Sequence, residues 1–156
     1  MTKRSAQDPK LTLVLFLLLV VGGGFLIGFL TLPGEWYAAL AKPSFNPPNW
    51  VFAPVWTVVY ALVAVAGWRT FERAYMGWPM WLWWAQLALN FLWSPVFFAA
   101  HSISLALVVI LLLLAAISGF IVKSWRQDRT AVWLFSPYAA WVAFASTLNA
   151  AIFALN

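Results

Sequence analysis

The residues best suited to bind a ligand are aromatic and amide side chains that recur at helical spacing inside long apolar stretches. They form three sets: Trp56 and Tyr60; Asn90, Trp93 and Phe97; and Tyr138, Trp141, Ala145 and Leu148. Spacings of three or four residues place the members of a set on one face of an α-helix. Because indole and amide groups add a few hydrogen bonds to an otherwise apolar surface, such faces are typical of sites for apolar ligands.

The same stretches exclude acid–base and metal chemistry. They contain no Asp, Glu, Lys, Arg or His, so no acid/base pair, proton relay or metal cluster is expected within them. The single histidine, His101, falls in a turn, where a capping or solvated position is expected. The chain has no Cys, which excludes disulfides, thiolate ligands and cysteine nucleophiles. We therefore expect no metal site and no obligatory cofactor.

The composition is that of an integral membrane protein. Of the 156 residues, 65% are hydrophobic and only 8% are charged, whereas roughly a quarter of the residues of a soluble domain are charged. The net charge of +5 does not indicate nucleic acid as a partner, because the nine basic residues are spread over several loops and form no dense patch. The expected partner is the lipid bilayer.

Five apolar stretches are long enough to cross a bilayer. They are residues 11–32, 51–68, 79–100, 103–122 and 130–153, and we predict an all-α bundle of five transmembrane helices in one domain, residues 1–156. Residues 33–50 hold four prolines and cannot form a continuous helix. Pro137 predicts a kink in the last span. Gly24 and Gly28 form a GxxxG pair that permits close packing, either within the chain or between two copies.

The basic residues predict the orientation, since Lys and Arg accumulate in cytoplasmic loops. Eight of them fall on one side of the five-span arrangement, namely Lys3, Arg4, Lys10, Arg69, Arg73, Lys123, Arg126 and Arg129. Lys42 alone falls on the other side. We expect a bacterial inner-membrane protein with a cytoplasmic N-terminus, a periplasmic C-terminus and an outer loop at residues 33–50.

The three aromatic faces are predicted to meet at one depth. At a rise of about 1.5 Å per residue, Tyr60, Asn90 and Ala145 lie roughly 12 to 14 Å inward from the outer ends of their helices. An aromatic cavity in the outer half, below the Pro-rich loop, is therefore expected. For other tryptophans, anchoring at the membrane interface is the simpler interpretation. These are Trp68, Trp78, Trp81, Trp125 and Trp133.

Three segments resemble a known family. They are EWYAALAKPSFNPPNWVFAPVWTVVY at 35–60, QLALNFLWSPVFF at 86–98 and PYAAWVAFASTLN at 137–149. The chain is similar over almost its whole length to the tryptophan-rich sensory protein and translocator protein family, once called peripheral benzodiazepine receptors, and looks like a bacterial member. The resemblance implies a five-helix bundle that binds porphyrins such as protoporphyrin IX and haem, synthetic isoquinoline and benzodiazepine ligands and, in animals, cholesterol.

The resemblance also implies a set of ligand-binding residues. Carried over by motif, they are Tyr37, Pro47, Trp50, Phe52, Trp56, Tyr60, Asn90, Trp93, Ser94, Trp141, Ala145 and Leu148. Residues 148–156 lack the tyrosine and the basic residue of the sterol motif of animal members, so sterol binding is not expected here. A homodimer is expected, but Trp81 stands where the family places a small residue before Ala85, so that surface must pack differently.

Three functions are compatible with these residues. The first is a receptor or sensor that binds a tetrapyrrole without turnover, and this is the function we expect. The second is a porphyrin transporter, although five helices give no obvious inverted repeat. The third is light-dependent porphyrin degradation, for which Trp56 and Trp141 are the candidate catalytic residues because they could form radicals beside a bound photosensitiser.

Overall fold

The computed structural model describes residues 8–156, which fold into helices packed side by side. The helices are α1 (Pro9–Leu17), α2 (Gly23–Leu30), α3 (Glu35–Ala39), α4 (Phe52–Ala74), α5 (Trp78–Ser94), α6 (Ile103–Ser124) and α7 (Arg129–Leu155). A π-helical turn, Leu18–Gly22, joins α1 to α2. No strand occurs within residues 8–156. Lys3 and Arg4, both expected in the cytoplasm, lie outside the described residues.

Four helical segments are long and apolar enough to cross a membrane. They are Pro9–Leu30, Asn49–Ala74, Ile103–Ser124 and Arg129–Leu155. The chain is thus an all-helical membrane protein, but the described residues give four spans by this measure and not the predicted five. The difference lies in the third stretch, where α5 ends at Ser94 and continues directly into a π-helical turn, Pro95–Ala99.

The helix boundaries differ from the predicted spans mainly at α4. The charged segment 69–78 was predicted to be a connection, yet α4 continues through Arg69 and Arg73 to Ala74. Charged residues end the apolar part of a helix, but they do not end the helix itself, and Arg73, in the last turn, interacts favourably with the helix dipole. Residues 33–50 form no continuous helix, as predicted, and α3 occupies only Glu35–Ala39.

The helices pack in a closed order that brings the three predicted faces together. Contacts join α5 to α6, α6 to α7, α7 to α4 and α4 to α1, while α2 contacts α5. Direct contact between α4 and α5 closes the interior. The helices that carry the three aromatic sets therefore surround one common space.

Three glycines allow aromatic rings to lie directly against a neighbouring helix: Gly23, where a Cβ would overlap the ring of Phe91, Gly24 and Gly67. A Cβ at Gly67 would overlap the indole of Trp83, whose Nε1 donates to the carbonyl oxygen of Val63 at 3.0 Å. A Cβ at Gly24 would overlap the ring of Tyr60, whereas one at Gly28 would meet no atom of residues 8–156 within 4 Å. Gly24 thus serves packing within the chain.

The two ends of the bundle are built differently. At one, which we call the loop end, the ring of Trp36 stacks on His101 at 4.3 Å between centroids, and the side chain of Asn156 exchanges two hydrogen bonds of 3.0 Å with the backbone of Ala41. At the other, the ion-pair end, Arg69 of α4 pairs with Asp128 before α7. The Pro-rich loop, the α5–α6 turn and the last residue therefore share one end, as the predicted alternation requires.

Candidate ligand site

A chain of hydrogen bonds links α4, α5 and α7 in the interior. The hydroxyl of Tyr60 donates to Asn90 Oδ1 at 3.1 Å, and Asn90 Nδ2 donates to the hydroxyl of Tyr138 at 2.9 Å. Tyr138 in turn donates to Gln86 Oε1 at 2.8 Å. We call these four residues the polar chain. It holds three helices in register through side chains that carry no net charge.

Aromatic rings cover the polar chain on the side toward the loop end. The ring of Trp56 lies 5.1 Å from Tyr60, 6.5 Å from Tyr138 and 6.4 Å from Trp141, measured between centroids. Phe52, at the start of α4, contacts Trp141 at 5.8 Å. We call Phe52, Trp56, Tyr60, Tyr138 and Trp141 the aromatic cluster. Its rings contact one another, so a large ligand enters only if they separate.

Two buried donors beside these rings have no partner. They are the indole Nε1 of Trp141 and the amide Nε2 of Gln86, neither of which has an acceptor within residues 8–156. A buried donor without an acceptor costs about 1 to 3 kcal/mol. An acceptor atom on a ligand would relieve that cost.

Trp93 and Tyr37 belong to a second cluster, nearer the loop end. Trp93 stacks on Phe97 at 5.1 Å, and its Nε1 donates to Asn149 Oδ1 at 3.1 Å. The ring of Tyr37 lies 6.1 Å from Phe97 and 5.4 Å from Phe98. Trp93 also contacts the main core, so it lies between the two clusters.

The remaining predicted residues occupy varied positions. Ser94 shares a hydrogen bond of 2.6 Å with Thr31 after α2. Pro47 lies in the loop, half-buried, and accepts a hydrogen bond from the Asn46 side chain at 3.0 Å. Trp50 is 74% exposed. Ala145 packs against the main core, and Leu148 is buried.

The single lysine of the Pro-rich loop forms hydrogen bonds within the loop itself. Lys42 Nζ donates to the carbonyl oxygens of Tyr37, Ala38 and Leu40 at 2.6, 3.3 and 3.1 Å, and it lies 4.5 Å from the centroid of the Tyr37 ring. Burial raises the pKa of the Tyr37 phenol, and a hydrogen bond with Asn46 offsets this only in part. The one cation of this loop therefore stabilises the end of α3.

The ligand set implied by the resemblance omits Gln86 and Tyr138, although helical spacing placed Tyr138 on the same face as Trp141. Gln86 lies four residues before Asn90 on α5, and Tyr138 lies three residues before Trp141 on α7, so both share a face with selected residues. That spacing was the available signal. Within residues 8–156 no three His, Asp, Glu or Cys side chains group as metal ligands. The site thus offers shape, aromatic surface and neutral donors.

Comparisons with known proteins agree over most of the chain. Residues 15–155 match the TspO/MBR family. The chain is 37% identical to the tryptophan-rich protein TspO of Archaeoglobus fulgidus, with 94% of this chain and 97% of that one covered. It is 36% identical to the tryptophan-rich sensory protein of Cereibacter sphaeroides (92% and 91% covered) and 38% identical to the translocator protein of Homo sapiens (81% and 79% covered).

Proposed function

The chain belongs to the TspO/MBR family, and from that premise we propose that it is a membrane receptor that binds tetrapyrroles, protoporphyrin IX or haem, and ligands of the isoquinoline and benzodiazepine type. The ligand occupies the aromatic cluster. The observation that carries the proposal is the pair of unpartnered donors, Trp141 Nε1 and Gln86 Nε2, beside uncharged aromatic rings.

A tetrapyrrole matches this site in shape and in chemistry. Its wide planar face stacks on aromatic rings, which prefer offset or edge-to-face contacts at 4.5 to 7 Å, about the separations within the aromatic cluster. Its acceptor atoms satisfy donors that otherwise stay unpaired in the interior. Because the rings touch in this structure, binding requires Trp56 and Trp141 to move apart, and entry is through the loop end.

Titration of the purified protein with protoporphyrin IX in the dark, followed by quenching of tryptophan fluorescence, tests the proposal. Trp141→Phe keeps most of the ring area and removes the donor, so we expect an affinity loss of about 1 kcal/mol, or roughly fivefold. Trp133→Phe, on the same helix but 68% exposed, is the matched control and should bind normally. Equal affinity of both variants and the unaltered protein would exclude the aromatic cluster as the site.

The two alternatives give other signals in the same preparation. Light-dependent degradation has one supporting observation, the edge-to-face contact of Trp56 and Trp141 at 6.4 Å, through which a radical on one indole would lie beside the other. Loss of porphyrin absorbance in light with a distinct product would identify that activity. Porphyrin flux into sealed vesicles would identify a transporter.

The proposed membrane arrangement has five spans. α5 and its π-helical turn, together Trp78 to Ala99, supply the fifth, with the loop end periplasmic in a bacterial inner membrane. A cysteine at Ser44, which is exposed, should be labelled only from the periplasmic side. We also propose a homodimer through the outer face of α5, where Trp81 is 62% exposed; cross-linking in the membrane tests it.

A further inference from the structure

A groove of about 490 Å³ lies at the ion-pair end, where α6 ends and its connection to α7 begins. It is lined by Ile121, Val122, Lys123, Trp125, Arg126 and Gln127. The lining changes from aliphatic to basic within a few residues along the chain. A molecule that fits this groove therefore has an apolar part next to a polar or anionic part.

The apolar part of the groove continues the outer face of α6. Exposed aliphatic side chains follow that face along the helix: Leu105, Val108, Leu111, Leu112 and Val122. The most apolar 18-residue window of Ile103–Ser124 has a mean hydropathy of 3.1, so the exposed side chains of this helix face acyl chains when the protein is in a membrane. Trp125, 47% exposed, follows directly and suits the level of lipid headgroups.

The basic part of the groove lacks a carboxylate. Lys123 and Arg126 form no ion pair within residues 8–156, and the guanidinium of Arg129 lies 5.7 Å from the centroid of the Trp125 ring. The nearest acidic residue in sequence, Asp128, pairs with Arg69 and caps α7. Positive charge at this level of the membrane is thus left for a partner from outside the chain.

We propose that this groove binds the anionic headgroup of a membrane phospholipid. Its phosphate is held by Lys123 and Arg126, and its acyl chains lie along the outer face of α6. Basic pockets at the cytoplasmic ends of transmembrane helices suit such headgroups, and an arginine holds a phosphate through two parallel hydrogen bonds. Selectivity for anionic over zwitterionic lipid comes from the missing carboxylate.

A second groove of similar size provides an internal comparison. It measures about 510 Å³ and is lined by Met76, Trp78, Trp81, Leu82 and Ala85. None of these residues is charged, so this groove offers a lipid no electrostatic discrimination. This groove belongs to the α5 face proposed above for the homodimer, and Trp78→Leu should leave headgroup selectivity unchanged whether or not it alters dimerisation.

Native mass spectrometry of the purified protein tests the proposal by counting the lipids retained from equal mixtures of phosphatidylglycerol and phosphatidylcholine. We expect phosphatidylglycerol to be retained preferentially and Arg126→Gln to lower that preference about fivefold, the effect of one basic residue near a membrane surface. Lys10→Gln, which changes the net charge equally at the same end, is the matched control and should keep the preference. Arg126→Lys should keep most of it.

Three results would overturn the proposal. The first is equal retention of the two lipids by the unaltered protein. The second is an unchanged preference in Arg126→Gln, whose circular dichroism shows whether it remains folded. The third is displacement of the bound lipid by millimolar inorganic phosphate, which would identify a site for small anions.

Discussion

The aromatic cluster and the ion pair of Asp128 differ in how completely their buried polar groups are hydrogen-bonded. The carboxylate of Asp128 accepts hydrogen bonds from Arg69, from Arg73 and from the backbone amides of Thr130 and Ala131. In the aromatic cluster, by contrast, Trp141 keeps a buried donor that has no acceptor in the part of the chain that the structure describes. The carboxylate at the ion-pair end is thus paired within the chain, whereas the aromatic cluster keeps a donor that only an acceptor from outside residues 8–156 would satisfy.

The largest expected effect is loss of stability at the ion-pair end. Asp128→Ala removes both the partner of two arginines and the N-cap of α7, and we expect the free energy of unfolding to fall by about 3 kcal/mol. Thermal denaturation in detergent measures it. Asp128→Asn keeps the cap and loses only the charge. Its free energy of unfolding should therefore lie between that of the unaltered protein and that of Asp128→Ala. A cost to Asp128→Ala no greater than that of Asp128→Asn would exclude the cap as a contributor.

Low pH should lower the stability of the ion-pair end. Burial alone would raise the pKa of Asp128, but hydrogen bonds from Arg69 and Ala131 and the charges of Arg69 and Arg73 lower it below its usual value of 3.8. Its contribution is therefore present above that value and is lost as the pH falls through the lower, folded-state pKa. We expect the melting temperature to fall below about pH 4 in the unaltered protein. The melting temperature of Asp128→Asn should fall less over this pH range, because the variant has no carboxylate at position 128 to protonate.

The next effect compares two indoles. Trp93 Nε1 donates to Asn149 Oδ1 at 3.1 Å, whereas Trp141 Nε1 has no acceptor among residues 8–156. Trp93→Phe should therefore cost about 1 kcal/mol of stability, while Trp141→Phe should cost less, because it removes no hydrogen bond. Denaturation of both variants without ligand gives the answer. Equal destabilisation would mean that Trp141 contributes mainly through packing.

The smallest effect concerns the Pro-rich loop. Pro43, Pro47 and Pro48 restrict its backbone, and Phe45 contacts Phe144 of α7 at 6.5 Å between centroids. Replacing residues 44–49 by a Gly/Ser segment should speed porphyrin release several-fold and alter capture less, since affinity differences among variants lie mostly in dissociation. Stopped-flow fluorescence measures both rates. Unaltered release from a folded variant would mean that the loop does not cover the site.

The sequence predicted which helix faces meet, but not how their side chains pair. Helical spacing and depth selected Tyr60 and Asn90, and their side chains are hydrogen-bonded at 3.1 Å. The same reasoning grouped Trp93 with them, yet its indole points to Asn149. Helical spacing places two residues on the same face of a helix but does not fix the rotamers of their side chains. The rotamer determines which partner a side chain reaches.

Irregular backbone was the other part that the sequence did not predict. π-Helical turns occur at Leu18–Gly22 and Pro95–Ala99. Hydrophobic periodicity does not predict them, because a segment with one extra residue in a turn is as apolar as a regular α-helix. The end of α4 was misjudged for a related reason. Hydropathy indicates where an apolar span ends, whereas α4 continues through Arg69 and Arg73, which both bond to Asp128.

The contact between Gly24 and Tyr60 also limits how this family member can evolve. Any side chain at position 24 must displace the Tyr60 ring, and a smaller residue at position 60 would also remove the hydroxyl that donates to Asn90. Substitutions at the two positions are therefore coupled, and most single steps away from this pair pass through a less stable intermediate. At position 28, one helical turn further along, a Cβ would meet no atom of residues 8–156 within 4 Å, so this coupling is absent there.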